Sequence, residues 1–420
     1  MRAAGLWIDK TMDDFLADAL ARTPDKEALV SYRCDRDQPT RMTFRQLTDR
    51  INLAAEALHR MGVRHGDVVA VQMPNWWEFV VMTLACGRVG AVMNPLMHIF
   101  RERELTYMLD FAKAKVLMVP KRYRGFDYEN MVNDMRLNLP NLEHVLVVDG
   151  EGDNSFERCL QAGIAPAGIH VPAGAQPLAP DDLAVLMFTS GTTGSPKGVM
   201  HTSNTLVSCM NALSSRFGLR RDDVYLASTP VGHMTGYVAV VLIGLRNGGT
   251  VVLQDFWEPK QGVAIMTREK VSYFAASTPF LNDICEVVEA AGLRLPHLRS
   301  FLCGGAPIPP VLIERARDMA PRLAERARAA EDAGLVPSET IAEMQEAGFF
   351  KVLQPKRWGG YEMDPRVFYS VQMALAEGCM ATAWIYGVVG VHNWQLPLFP
   401  EQAQIDVWGE APMTLTASTY

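Results

Sequence analysis

Short apolar runs recur along the chain to about residue 305, each followed by a stretch with helical spacing. Asp67–Met73, Ala91–Asn94, Lys115–Pro120, His144–Asp149, Leu183–Phe188, Asp223–Ser228, Thr250–Gln254, Val271–Ala275 and Ser300–Cys303 read as strands. Between them, Thr43 and Gln46 form a capping box at the start of an amphipathic helix that ends near Gly62, and Trp76–Cys86 reads as a second helix. Brief apolar strands alternating with helices predict an α/β domain with a largely parallel sheet and helices on both faces. Residues 150–182 are rich in Gly, Ala and Pro and read as a long surface connection.

Beyond about residue 309 the pattern changes. Residues 311–333 are rich in Ala, Arg and Glu, and Pro321 breaks what would otherwise be one helix. Ser338 is placed to cap a helix ending at Gly348, and Val367–Gly378 and Ala381–Val391 read as further helices. No strand is expected from 309 to about 410. The change from alternating α/β to all-helical texture puts a domain boundary near residue 320.

Composition narrows the class. Hydrophobic residues make up 49% and charged residues 21% of 420 positions, as in a globular chain of two or three domains. The net charge of −7 gives no basic excess for nucleic acid. Seven cysteines without a Cys-x-x-Cys pair indicate neither a zinc site nor a disulfide framework, which fits a reducing cytoplasm. Asp9, Lys10, Asp13 and Asp14 exclude a signal-peptide apolar region. The longest apolar run, Tyr237–Leu245, is too short to span a bilayer and reads as a buried core helix.

The chemistry is concentrated after the strand Leu183–Phe188. Thr189, Ser190, Gly191, Thr192, Thr193, Gly194, Ser195, Pro196, Lys197 and Gly198 follow in succession. Gly191, Gly194 and Gly198 let backbone N–H groups turn toward an anion, the hydroxyls add donors, and Lys197 adds a positive charge. The expected continuation is a helix whose N-terminus points at the same anion. Pro196 before Lys197 and Gly198 after it exclude the Gly-x-x-x-x-Gly-Lys-Ser/Thr loop.

These ten residues resemble the phosphate loop of the adenylate-forming superfamily, specifically acyl-CoA synthetases of the cyclohexanecarboxylate or medium-chain acid group. The resemblance covers about residues 1–319. Ser228–Gly236, with His233, is similar to the segment bordering the carboxylate substrate. Leu302–Pro307, with Gly304, Gly305, Ala306 and Pro307, is similar to the turn lying along adenine and the acyl pocket. Met73–Phe79 and Gly90–Pro95 also match. The resemblance implies attack of a small-molecule carboxylic acid on the ATP α-phosphate, then displacement of AMP by CoA, with Mg²⁺ and Lys197 neutralising charge. Thr189–Gly194 and Lys197 would hold ATP, and Lys197 and His233 would act in catalysis. Cys303 reads as a packing residue.

After Pro307 the family's later motifs are not found. No Thr-Glu dipeptide, from which Mg²⁺ would be held, and no Thr-Gly-Asp occurs in 308–420, where the only lysines are Lys351 and Lys356. Instead, Ala330–Ile341, Gly348–Gly360, Gly390–Leu396 and Val407–Glu410 resemble the N-terminal helical domain of acyl-CoA-dehydrogenase-fold flavin monooxygenases, the secosteroid phenol hydroxylase type. That resemblance covers about 321–420. It implies FMN or FAD beside a pocket faced by His392 and Asn393, with Ser418 approaching the flavin. The expectation is thus two incomplete domains, 1–319 and 321–420, with impaired acid activation, a flavin-dependent fragment as one alternative and a non-catalytic deletion chimera from a steroid or alicyclic-acid degradation cluster as another. Uncovered apolar surface would favour non-native self-association.

Overall fold

The computed structural model describes residues 1–161, 166–189, 196–304, 341–342, 344–345, 348–360, 368–369, 372, 380–412 and 414–415. The chain divides into two units, Met1–Ala306 and Pro307–Tyr420. The expected boundary at 319–321, with Pro321, lies outside the described residues, as does Ser338.

The first unit carries the strands β1 (Glu27–Tyr32), β2 (Thr40–Thr43), β3 (Val68–Gln72), β4 (Val92–Leu96), β5 (Ala114–Pro120), β6 (Arg122–Tyr123), β7 (Phe126–Asp127), β8 (His144–Val148), β9 (Leu183–Thr189), β10 (Lys197–Thr202), β11 (Val224–Ala227), β12 (Thr250–Gln254), β13 (Tyr273–Ala276) and β14 (Ser300–Cys303). The α/β class expected from the alternation is present, built on two largely parallel sheets. The first runs β14-β13-β11-β12-β1-β2 and the second β10-β9-β4-β3-β5-β8. Each is parallel except for one antiparallel edge strand, β2 and β10 respectively. β1 enters the first sheet between β12 and β2, pairing Leu29 with Val251.

Local signals explain the elements. Thr43 Oγ1 accepts from Gln46 N–H at 3.2 Å while Gln46 Oε1 accepts from Thr43 N–H at 2.9 Å, closing the capping box of helix Phe44–Arg60. That helix buries Phe44, Leu47, Ile51 and Leu58 in the core between and around the sheets. Helix Trp77–Val89 has almost no polar face, because it is buried on nearly all sides. The apolar run from Tyr237 is a buried helix as expected, with a π-helical stretch Tyr237–Leu242 between Met234–Gly236 and Ile243–Arg246. The connection 150–182 is not wholly irregular. It contains helix Phe156–Gln161, which buries Phe156 and Leu160, and its backbone at Pro166 and Gly168 accepts two bonds from Asn52 Nδ2, each 2.8 Å.

The second unit has no strand among its described residues. Its described residues include helices Met380–Gln395 and Glu401–Trp408 and the 3₁₀ turns Phe349–Lys351 and Lys356–Trp358. Its core is Met344, Phe350, Val352, Leu353, Phe368 and Tyr386. Gly348 sits at φ 76°, a left-handed conformation that glycine adopts without strain, and its N–H donates to Gln345 O at 3.0 Å. No helix among the described residues is long and apolar enough to cross a membrane.

Candidate active site

Of the chemistry-bearing stretch, the structure describes the two strand ends that flank it, which pair as a hairpin. Thr189, the last residue of β9, pairs with Lys197, the first of β10, and Thr189 Oγ1 donates to Lys197 O at 3.5 Å. Both side chains are exposed. Ser190, Gly191, Thr192, Thr193 and Gly194 lie outside the described residues. Helix Glu102–Ala112 braces the base of the hairpin: Tyr107 Oη donates to Pro196 O at 3.4 Å, and the Phe111 ring meets Phe188 edge-on at 5.7 Å. A Cβ at Gly198 would come within 3.0 Å of Leu186 Cδ1 and 3.3 Å of Phe111 Cε1, so this glycine keeps the hairpin pressed on that helix.

The segment after the loop corrects the sequence reading. A strand, not a helix, follows. Val199–Thr202 finds a partner in β9, and the helix-capping chemistry falls later, at Thr202, whose Oγ1 accepts from Thr205 N–H at 3.2 Å. Helix Ser203–Phe217 therefore begins a full strand away, about 20 Å at ~3.3 Å per residue, beyond the reach of a helix-end dipole.

His233 stands at the turn between β11 and the buried helix. Its Nδ1 accepts from Thr235 N–H at 3.3 Å, so a neutral ring carries its proton on Nε2, on an exposed edge. The turn is tightly seated. A Cβ on Gly232 would lie 2.6 Å from the backbone carbon of Leu96 and the nitrogen of Met97, and one on Gly236 would lie 2.4 Å from Thr229 O. Asn75, buried to 2% exposure, holds the turn from below. Its Nδ2 is within 2.9 Å of Ala227 O and Thr229 O and 3.1 Å of Gln254 O, and its Oδ1 accepts from Val231 N–H at 2.9 Å.

Topology brings these pieces together. β11, β13 and β14 are parallel neighbours, so the His233 turn and Gly304 leave the same end of the first sheet; Gly304 N–H donates to Ala276 O at 3.2 Å. Gly232 rests on the backbone just past the end of β4, and β4 lies beside β9, which ends at Thr189. Asn94 strengthens that neighbourhood, donating from Nδ2 to Leu186 O at 2.6 Å. Thr189, Lys197, His233 and Gly304 thus all sit at carboxyl ends of parallel strands or on the hairpin they start, where open α/β sheets bind ligands. Gly305, Ala306 and Pro307 lie outside the described residues.

A buried polar set ties the two sheets together beneath this end. Trp76 Nε1 donates to Asp255 Oδ2 at 2.9 Å, and Cys34 N–H donates to Asp255 Oδ1 at 3.0 Å; burial raises the Asp255 carboxyl above the ordinary carboxylate range. The Arg33 guanidinium stacks 3.5 Å over Trp76 and pairs with Asp149 at 2.6 Å, joining the chain after β1 to the chain after β8. Glu78 lies 3.9 Å from Arg33, and its complete burial pushes its carboxyl up to about 8. Asn75 and Asn94 stand in stretches noted for family likeness, but their roles were not visible, because their partners are distant in sequence.

In the helical unit, Asn393 is buried and donates from Nδ2 to Phe350 O at 2.6 Å, tying helix Met380–Gln395 to the turn at Phe349–Lys351. His392 Nδ1 lies 2.8 Å from Gln395 Oε1 on the same helix. Ser418 lies outside the described residues. Among the described residues no group of three His, Cys, Asp or Glu could hold a metal ion, so no residue is assigned to Mg²⁺.

Comparison with known proteins follows the same division. Residues 16–327 match the family model described as AMP-binding enzyme, and residues 312–410 match that of the acyl-CoA dehydrogenase N-terminal domain. The chain is 32% identical over 308 residues to a medium-chain fatty-acid–CoA ligase of Escherichia coli K12, covering 73% of this chain and 53% of that protein. It is 31% identical over 307 residues to a 3-[(3aS,4S,7aS)-7a-methyl-1,5-dioxo-octahydro-1H-inden-4-yl]propanoyl:CoA ligase of Mycobacterium tuberculosis, covering 73% and 59%. Among solved structures it resembles the N-terminal domain of FACL13 from Mycobacterium tuberculosis, with TM-score 0.64, 25% identity and 74% of each chain covered. The chain spans about half the length of the curated relatives it matches.

Proposed function

The chain belongs to the AMP-binding enzyme family, and from that premise we propose that its first unit binds ATP at the hairpin loop 189–198 and a small-molecule carboxylic acid beside His233, as an AMP-forming acid–CoA ligase would. The observation that carries this reading is the seating of the His233 turn, by Gly232 and Asn75, at the strand ends where Thr189 and Lys197 also lie. In this reading Lys197 sets positive charge against the ATP phosphates. The exposed Nε2–H of His233 borders the acid and helps align its carboxylate for attack on the α-phosphate. The stretch from Gly304 to Pro307 would lie along adenine. CoA would then accept the acyl group as AMP leaves, and Mg²⁺, when bound, would neutralise phosphate charge.

Turnover is proposed to be feeble. The family's Thr-Glu and Thr-Gly-Asp segments do not follow Pro307; the match to a different family begins at 312 instead. The test is pyrophosphate release with ATP and a panel of medium-chain and alicyclic acids, beside ATP binding by calorimetry. ATP binding with little or no acid-dependent pyrophosphate is expected. Absence of ATP binding would overturn the assignment of the loop, and robust turnover would overturn the argument from the later motifs.

The meeting of two family models within 312–327 favours a second reading, a fusion of two incomplete domains joined near Pro321 by deletion between neighbouring genes. Sequencing the source DNA across that junction tests it: an uninterrupted open frame in independent isolates counts for a maintained protein, and separate genes in them count for a chimera. For the helical unit, FMN or FAD beside His392 and Asn393 remains the matching proposal. A colourless protein that ignores added flavin would refute it.

A further inference from the structure

A cavity of about 250 Å³ lies in the first unit at the opposite end of the same strands from the candidate active site. Leu84, Met93, Val185, Val207, Met210 and Tyr237 are among the residues of its apolar wall. Met93 and Val185 are paired near the beginnings of β4 and β9, whereas the candidate active site gathers around their ends. Along β9 the four residues from Val185 to Thr189 span about 13 Å. The two sites are therefore distinct.

Three features point to a ligand rather than a packing defect. Protein interiors are close-packed and leave few voids larger than a water molecule, so a space this large with a mainly apolar lining stands out. Gly87 also lines it, inside helix Trp77–Val89, at a position where a Cβ would meet nothing within 4 Å. A glycine in a helix interior weakens the helix, and here no neighbour and no backbone conformation requires one. Finally, Tyr237 and Leu242 are the two ends of the π-helical stretch that continues from the His233 turn, and π-helical turns concentrate at functional sites.

Charge selects the ligand class. Asp13 reaches the cavity with its carboxylate paired to the fully buried Arg88, Nε to Oδ1 at 3.0 Å. No Lys, Arg or His stands among the residues lining the cavity, so an entering carboxylate would face Asp13 without a cation of its own. Thr11, Thr83, Ser203 and Tyr237 bring hydroxyl-bearing residues to the lining. We propose that this cavity binds a neutral alicyclic or aromatic compound carrying at most a hydroxyl or keto group, held by apolar contact with the adaptable methionine wall and one hydrogen bond to a hydroxyl of the lining. This site does not depend on ATP or on the acid.

The test uses the full chain with cyclohexanol as the probe and cyclohexanecarboxylate at pH 7 as the charged comparison, read by thermal unfolding and by calorimetry without nucleotide. Cyclohexanol at about ten times its dissociation constant is expected to raise the melting temperature on the order of 2–4 °C. In Gly87→Leu, which fills the space without meeting backbone, that rise is expected to vanish while ATP binding persists. Val207→Phe fills the cavity from another wall and serves if Gly87→Leu does not fold. No rise in the wild type overturns the proposal, as does an equal rise in a folded filling variant. Crystals of the wild type under xenon give an independent reading: xenon in the cavity supports the proposal, and xenon only elsewhere overturns it.

Discussion

Replacing Asn75 should be among the most damaging single changes in the first unit, although Asn75 has no place in the proposed chemistry. Its side chain serves three carbonyls and one N–H, all in the interior between the two sheets. Asn75→Ala deletes four contacts and leaves polar backbone groups facing an apolar gap. A buried polar group left unpaired costs about 1–3 kcal/mol, and part of that is recovered where a group keeps another partner, so a loss of about 3–5 kcal/mol is expected. That is a large share of a folded domain's stability of about 5–15 kcal/mol. Taking ~2 °C per kcal/mol for a unit of this size, the melting temperature should fall by about 6–10 °C. Asn75→Asp should be worse, because it points carboxylate oxygens at the carbonyls that Nδ2 now joins. Asn130→Ala, on an exposed helix face, is the control and should stay within about 0.5 kcal/mol. The assay is thermal and urea unfolding of the four proteins side by side. A drop below about 1 kcal/mol for Asn75→Ala would refute the reasoning, as would Asn75→Asp being the milder change.

Other outcomes follow from the same geometry. Gly232→Ala puts a methyl 2.6 Å from the backbone of Leu96 and Met97, which cannot rotate away; a loss of about 1–3 kcal/mol in urea unfolding is expected, with weakened acid binding. Lys197→Ala should leave stability within about 0.5 kcal/mol, since the residue is exposed, while ATP affinity by calorimetry falls at least about tenfold; unchanged affinity would remove Lys197 from the site. Glu78, raised to about 8, keeps in the folded state a proton that the unfolded chain releases near its ordinary value of 4.5. The folded state then binds more protons across that window, so this residue makes stability fall as pH rises from about 4.5 to 8, by up to about 1.4 kcal/mol per pH unit. Glu78→Gln should flatten the stability–pH curve there, and superimposable curves for the two proteins would count against a neutral buried Glu78.

Local signals in the sequence located most elements and few of their relations. The runs at Thr250–Gln254 and Ser300–Cys303 are strands with those bounds, and Thr43 with Gln46 caps a helix, because burial and capping are decided within a few residues. β1 and β2 were not recognised. β1 is apolar enough but lies near the chain start just after helix Met12–Arg22, and β2 shows a single buried residue, Met42. The helix expected after the loop proved to be β10, because pairing with β9 overrode a glycine-rich, hydroxyl-rich context that reads equally as a helix start. The division into two sheets was hidden because strand order is a property of partners far apart in sequence. The candidate site was legible as a set of motifs. Its assembly, through Gly232 on Leu96 and Asn75 under Val231, was not, since neither contact leaves a local pattern.

The position of β1 has a consequence for how the protein is made. β1 lies near the start of the chain yet pairs on one side with β12, about 220 residues later. On a ribosome adding ~5–20 residues per second, β1 waits on the order of 10–40 s for that partner. The second sheet is less exposed to delay, because β3, β4, β5 and β8 emerge in close succession. Nascent chains should therefore pass through a stage with the second sheet assembled and the β1–β2 hairpin still showing one open edge. In that interval the first unit is most in need of a holding chaperone, and slowed synthesis between residues 44 and 250 would lengthen it.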